Sequence, residues 1–390
     1  MTVRMATRAR NIQPFHVMQI LQQAKQLEAQ GRSIIHMEIG EPDFPSADVV
    51  IQAGRQALDD KLTQYTAANG LPELRHAIAD TYQGRAAIDA DRILVTPGAS
   101  GALQLVLAIL LNPGDGIMLA DPGYPCNRHI ASLYDADIQS VAVDEATDYQ
   151  LTAAIVAENW QPNTRVVLIA SPSNPTGTLI DQQQLAAIYQ FVEEKGAALV
   201  VDEIYHGLVY EQEAVSALNL GDQVFVVNSF SKYYGMTGWR VGWLVVPAEY
   251  IEAANRLAQN MFLAAPTISQ YAALAALGTD AQQEFARRRQ IFQQRRDILL
   301  PLISRAGFII RTPPAGAFYV YADCSAISND SMELCHQLLQ HSGVAITPGA
   351  DFGVNNSERY VRFSYANTIE NLQEGIQRIQ QYLSNTRHGG

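Results

Sequence analysis

Residues 224–246 read VFVVNSFSKYYGMTGWRVGWLVV. An unbroken apolar run, Val224 to Val227, ends in a polar cluster of Ser229, Ser231 and Lys232, and Arg240 then opens a second apolar run, Val241 to Val246. A short, continuous, β-branched run reads as a strand covered on both faces. In open α/β sheets, ligands sit beyond the carboxyl ends of such strands. A buried strand that releases a lysine and two hydroxyls at its end therefore predicts both a parallel sheet and a site.

The same pattern recurs along the chain. Ile93–Thr96, Ile117–Asp121, Val166–Ala170, Ala198–Asp202 and Val241–Val246 read as strands, with helical stretches such as Gln182–Glu194 between several of them. This alternation predicts an α/β fold, a mostly parallel sheet between helices. Near residue 280 the texture changes. QQEFARRRQIFQQRRDILLPLIS (282–304) reads as a long amphipathic helix with Phe285, Ile291, Phe292, Ile298 and Leu299 as its apolar positions. The pieces AFYVYAD (317–323) and RYVRFSYA (359–366) then alternate like strands. The expected organisation is an N-terminal arm that joins the small domain (1–45), a large domain (46–280) and a small α+β domain (281–390).

Composition narrows the function. With 390 residues, 48% hydrophobic and 17% charged, the chain is long enough for two packed units. A net charge of −12 argues against nucleic acid and anionic membrane as partners. The longest apolar run, Ala102 to Leu111, is about half of what a bilayer span needs. The N-terminal MTVRMATRAR has arginines without an apolar segment after them, which does not describe a secretory signal. Cys126, Cys324 and Cys335 show neither a disulfide framework nor zinc spacing, and the eight histidines show no ligand spacing, so no metal is expected. Cys126 reads as a packed, unreactive thiol. The expectation is a cytoplasmic protein.

The strand ends carry the chemistry. TPGASGALQLVL (96–107) turns from a strand into a helix at Gly98, Ala99 and Ser100, a free helix N-terminus suited to a phosphate. Ser229, Ser231 and Arg240 can complete that anion site. Asp202 ends one strand and Tyr205 follows it; Asn174 follows another in SPSNPTG, and Tyr124 a third in DPGYP. Alone, Asp202 reads as a helix cap and Lys232 as a solvated lysine. Together they match one ligand, pyridoxal 5′-phosphate. Lys232 would form its Schiff base, Asp202 would pair with the ring nitrogen, Tyr205 and Asn174 would bond its phenolate oxygen, and Tyr124 would stack on the ring. Glu203, adjacent to Asp202, should point the other way and take no part.

The ordered set HMEIGEPDFP (36–45), YTAANGLPELRHAIA (65–79), VTPGASGALQL (95–105), DPGYP (121–125), SPSNPTG (171–177), VDEIYHGLVY (201–210) and SFSKYYGMTGWRVGW (229–243) resembles the fold type I pyridoxal-phosphate aminotransferases, class I/II, of the aspartate aminotransferase superfamily. The resemblance covers nearly the whole chain. It implies a seven-stranded sheet and places Arg362 at the substrate α-carboxylate, with the backbone of Gly40 beside it. It also implies that Tyr65 reaches the cofactor phosphate of a partner subunit, and so a homodimer with shared active sites. The implied reaction is a ping-pong transamination between an L-amino acid and a 2-oxo acid. Two alternatives share these motifs, a β C–S lyase and a non-enzymatic pyridoxal-phosphate sensor. TPGAS carries no second cation, and Phe15, Val17 and Met18 offer an apolar lining, which favours aliphatic or aromatic donors over aspartate.

Overall fold

A computed structural model describes residues 3–82 and 88–388; the first two residues of the predicted arm and the last two of the chain lie outside them. Twelve strands follow in order: β1 (Ile35–His36), β2 (Ile93–Thr96), β3 (Gly116–Asp121), β4 (Asp137–Ala142), β5 (Thr164–Ala170), β6 (Ala198–Asp202), β7 (Val224–Ser229), β8 (Gly242–Val245), β9 (Tyr319–Asp323), β10 (Val344–Ala345), β11 (Thr347–Pro348) and β12 (Tyr360–Ser364). Seven of them form one sheet in the order β2-β8-β7-β6-β5-β3-β4. Pairing is parallel from β4 through β7, and β8 runs antiparallel to both of its neighbours. The predicted strands are therefore present. The addition is β4, at the sheet edge. Its residues alternate between covered and exposed, so DIQSVA lacks the apolar run that marks its neighbours.

The central strands are apolar throughout because both faces are covered. Val167, Ile169, Leu199, Val201, Val224 and Val226 join one core cluster, while Val166, Leu168, Val200, Phe225 and Val227 join another on the opposite face. That split follows the two-residue period of a strand. The second cluster is filled by Ala102, Leu103, Val106 and Leu107 of a helix over Gly98–Leu110. Register brings Ala170, Asp202 and Val227 level on adjacent strands, so the carboxyl ends of β5, β6 and β7 open at one height.

A third cluster joins a helix near the N-terminus, α1 (His16–Ala29), to the C-terminal part of the chain. Ile20, Ala24, Leu27 and Met37 pack with Phe292, Leu299, Phe318, Val320, Leu372 and Ile376. The antiparallel sheet β11-β12-β9 and the parallel pair β1-β10 lie in this part. With α2 (Gly98–Leu110) named above, the long helix α3 (Thr279–Arg305) links the clusters: Phe285 belongs to the first, while Phe292, Leu299 and Ile303 belong to the third.

The predicted apolar positions of α3 hold in part. Ile291 and Ile298 are only half-buried, and Arg288, Arg295 and Arg296 take buried places instead. Their charges are matched. Arg295 grips Asp43 through both terminal nitrogens at 2.6 and 2.8 Å, Arg288 donates to Pro45 O at 2.7 Å, and Arg296 pairs with Glu211. The guanidinium carbons of Arg288 and Arg295 lie 5.2 and 4.9 Å from the centre of the Phe44 ring. The loop 40–45 is thereby clamped to α3. Asp43→Ala leaves the Arg295 charge buried and unpaired, and is expected to cost about 3 kcal/mol of stability, read as a lower unfolding midpoint in urea. An unchanged midpoint would show that the clamp adds nothing to the folded state.

Among the described residues no helix is long and apolar enough to cross a membrane.

Candidate active site

The level ends of β5, β6 and β7 form the floor of a solvent-open cleft with about 1400 Å³ of empty space. Its lining contains Gly40, Ala99, Ser100, Tyr124, Asn174, Asp202, Tyr205, Ser231, Lys232, Arg240 and Arg362. These come from stretches as far apart as residues 40 and 362, and both ends of the chain contribute to the wall. Three predicted residues stand elsewhere. Gly98 lies immediately behind Ala99 at the start of α2. The buried Ser229 hydroxyl lies 2.9 Å from Ser231 Oγ and 3.2 Å from Val241 O, within donating reach of either, so it stands behind Ser231. Tyr65 is 81% exposed and lines no part of the cleft within one chain.

At one end of the cleft, α2 begins without any side-chain cap on its first N–H groups. Two glycines let the backbone and the Arg240 guanidinium meet there. A Cβ on Gly98, whose φ is +71°, would sit 2.5 Å from Arg240 Nη2, and one on Gly242 would sit 2.9 Å from Ala99 N. Arg240 itself adopts a left-handed conformation, φ +53°, which turns its side chain into the cleft. Free amides and a guanidinium meet here, and the serines Ser100 and Ser231 line the same cleft. That donor set suits a phosphate group.

Further in lies Lys232, whose Nζ donates to Gly40 O at 2.5 Å. Burial pushes its pKa down to about 8, helped by Arg362 and Arg240 and opposed by Glu41 and Asp202. Asp202 sits on the floor, where burial pushes its carboxyl up to about 6; the Ile204 N–H at 3.1 Å and the Lys232 charge oppose that rise. Glu203 turns away, as expected, to accept from Ser216 Oγ and Ala217 N. Tyr205, also buried, has its phenol held neutral by desolvation and shares a 2.9 Å hydrogen bond with Tyr319. Burial likewise raises the Cys126 thiol above its usual range, which keeps it in the unreactive form.

Arg362 anchors the far wall. It donates to Asn174 Oδ1 at 2.9 Å, to Thr347 Oγ1 at 3.3 Å and to the Glu38 carbonyl, while its guanidinium carbon lies 4.2 Å from the centre of the Tyr319 ring. Its Nε is buried with no hydrogen-bond partner among the described residues. An unsatisfied donor on a buried cation is the chemistry expected of a carboxylate receptor. Sequence alone reads Tyr319 as core strand. In the fold it supports Arg362, bonds Tyr205 and lies so close to Gly40 that a Cβ there would be 2.3 Å from its hydroxyl. Thr347 was equally silent in sequence, because β11 is two residues long.

The mouth of the cleft is apolar. Phe15, Val17, Met18 and Leu21 line it from α1 and its start, together with Ile39 and Leu103. The buried Asp351 fixes this helix by accepting from His16 N at 2.8 Å and Val17 N at 3.1 Å.

A lysine of lowered pKa and a buried carboxylate, between an uncapped helix start and two arginines at the ends of a parallel sheet, suit a pyridoxal-phosphate enzyme of fold type I. The chain belongs to the aminotransferase class I and II family, whose model matches residues 32–379. It is 38% identical to the valine–pyruvate aminotransferase of Mycobacterium tuberculosis, over 98% of this chain and 99% of that one. It is 36% identical to an aspartate aminotransferase of Streptomyces avermitilis, over 93% and 92% of the two chains. Among solved structures, a protein of Methanococcus jannaschii described as similar in its active site to kynurenine aminotransferases superposes with a TM-score of 0.89 at 37% identity, covering 97% of this chain and 100% of that one. The chain is accordingly a pyridoxal-phosphate-dependent aminotransferase.

Proposed function

We propose that the enzyme moves the amino group of an L-amino acid with an aliphatic or aromatic side chain to a 2-oxo acid, with Lys232 as covalent anchor and proton carrier. The observation that carries the substrate class is the make-up of the cleft. Its arginines are Arg240, beside the phosphate cradle, and Arg362, beside Asn174, while the mouth is formed by Phe15, Val17, Met18, Leu21 and Ile39. Among the described residues that line the cleft, the cations are Lys232 and these two arginines, each with another role, so an acidic side chain would be buried there without a cation of its own. The names of the reported relatives divide: valine–pyruvate and kynurenine-like proteins favour the apolar reading, and the aspartate enzyme favours the other. All of them are aminotransferases, which favours transamination over the C–S lyase and the sensor.

Bound pyridoxal phosphate supplies an aldehyde that takes up amines and a ring that accepts the electron pair released at the substrate α-carbon. The chain does the rest. Arg362 holds the α-carboxylate through its unpaired Nε, with Asn174 and Thr347 fixing the guanidinium plane. Lys232, partly neutral near pH 8, would supply the amine that joins the aldehyde with loss of water and, once displaced by the substrate amine, would carry the α-proton. Asp202 would meet the ring nitrogen, and a cation there would draw its pKa back down and keep it charged. Tyr205 and Asn174 would bond the phenolate oxygen, Tyr124 would cover the ring, and Gly98, Ala99, Ser100, Ser231 and Arg240 would hold the phosphate. Tyr65, so exposed in one chain, completes that phosphate site from a second copy in a cytoplasmic homodimer.

Two outcomes follow. Only the neutral lysine combines with the aldehyde, so the rate at which apoprotein takes up pyridoxal phosphate should rise with pH through about 8 and then level off. A flat rate across that range would contradict the assignment of Lys232. In steady-state assays with 2-oxoglutarate or pyruvate, kcat/KM for leucine, valine or phenylalanine should exceed that for aspartate by about tenfold or more. A preference for aspartate would overturn the apolar reading.

A further inference from the structure

The stretch from His36 to Glu41 leaves β1 and enters the cleft, and its carbonyls are tightly engaged. Met37 O accepts from Ser364 N at 2.7 Å, Glu38 O from Thr347 Oγ1 at 3.1 Å and from Arg362 Nη2, and Gly40 O from Lys232 Nζ. The side chain of Glu38 points elsewhere and is fully buried. One carboxylate oxygen lies 2.7 Å from His36 Nδ1, and the other has no hydrogen-bond partner among the described residues. The far ring nitrogen of His36 lies 3.2 Å from Glu28 Oε1 on α1. A carboxylate buried this way is costly unless a cation stays beside it. His36 is that cation. Its bond to Glu38 lifts its pKa to about 9, against the lowering effect of its own burial, with Glu28 adding to the rise.

Neither residue lines the cleft, yet the Glu38 carbonyl accepts from Arg362, which does. We infer that the His36–Glu38 ion pair fixes the Glu38 carbonyl, and through it the Arg362 guanidinium, so that both residues are positioning residues for the substrate carboxylate. The inference rests on the reading of Arg362 given above. Three contacts set the Arg362 plane. Asn174 and Thr347 hold it by side chains, and Glu38 holds it by a carbonyl whose direction follows the φ and ψ of a residue locked by its own buried charge. Removal of the charge frees Glu38 to turn. The carbonyl then leaves the guanidinium, whose unpaired Nε no longer points where a carboxylate binds.

The test uses cofactor-loaded protein and calorimetric binding of two probes, 3-phenylpropanoate and its neutral amide. Glu38→Gln keeps the shape and removes the charge; it should weaken the carboxylate about tenfold, the order of one charge-assisted hydrogen bond, and leave the amide and the cofactor absorbance unchanged. His36→Gln should do the same, whereas His36→Lys, which keeps a cation, should stay within about threefold of the parent. Carboxylate binding by Glu38→Gln within about twofold of the parent, or an equal loss of both probes, overturns the inference. Arg362→Lys separates the two readings. If it abolishes the preference for the carboxylate while Glu38→Gln does not, only the positioning role fails. If it keeps that preference, or the parent has none, the reading of Arg362 fails with it.

Discussion

Lys232→Ala should lower turnover by about 10⁴-fold or more, because one change removes both the covalent anchor and the base that moves the α-proton. Lys232 is the one lysine among the residues that line the cleft, so no neighbouring amine can take its place. The fold should survive. Among the described residues its Nζ donates to the Gly40 carbonyl alone, and Arg295 clamps that loop through Asp43. Cofactor should still bind through the phosphate cradle, but reversibly, and it should wash out on dialysis where the parent retains it. A variant that turned over within tenfold of the parent would remove the lysine from the account.

Asp202→Ala is the second large effect. The carboxylate lies at the end of β6, level with Ala170 and Val227, and burial has pushed its pKa up to about 6. At neutral pH such a group is already mostly charged, and a protonated ring nitrogen against it would hold that charge in place. Without it the ring loses the charge that draws electrons from the α-carbon. We expect a fall of about 10³-fold in the single-turnover rate of α-proton transfer, with only a modest change in cofactor affinity. Asp202→Glu should recover part of the rate. If Asp202→Ala lost cofactor instead, and was normal once saturated, the residue would be a binding group and not an electrostatic one.

Much of this was readable before any coordinates. The buried strands of the main sheet announce themselves because both faces are covered, leaving no polar residue to interrupt Val224–Val227 or Leu199–Val201. Asp202 and Lys232 were legible for the opposite reason, as charges standing where an apolar run ends. What stayed hidden depends on distant pairing. β4 is an edge strand and carries only alternation. The arginines of α3 look like a solvated face until Asp43, Glu211 and Pro45 O are brought to them. Tyr319 sits in a run, AFYVYAD, whose hydrophobicity reads as core; only the closing of β9 against β12, which pairs Arg362 with Tyr321, puts its ring under the guanidinium. Ser229 and Ser231 cannot be ranked by sequence at all, since a hydroxyl that holds a ligand and one that holds its neighbour look alike.

The most direct measurement is the absorption spectrum of the purified protein with pyridoxal phosphate, before and after a panel of amino acids and then a 2-oxo acid. The account predicts a visible band, retained on dialysis, that fades with an apolar amino acid, returns with the 2-oxo acid, and is missing from Lys232→Ala. A protein that forms no such band with added cofactor, or whose band survives the loss of Lys232, would contradict it.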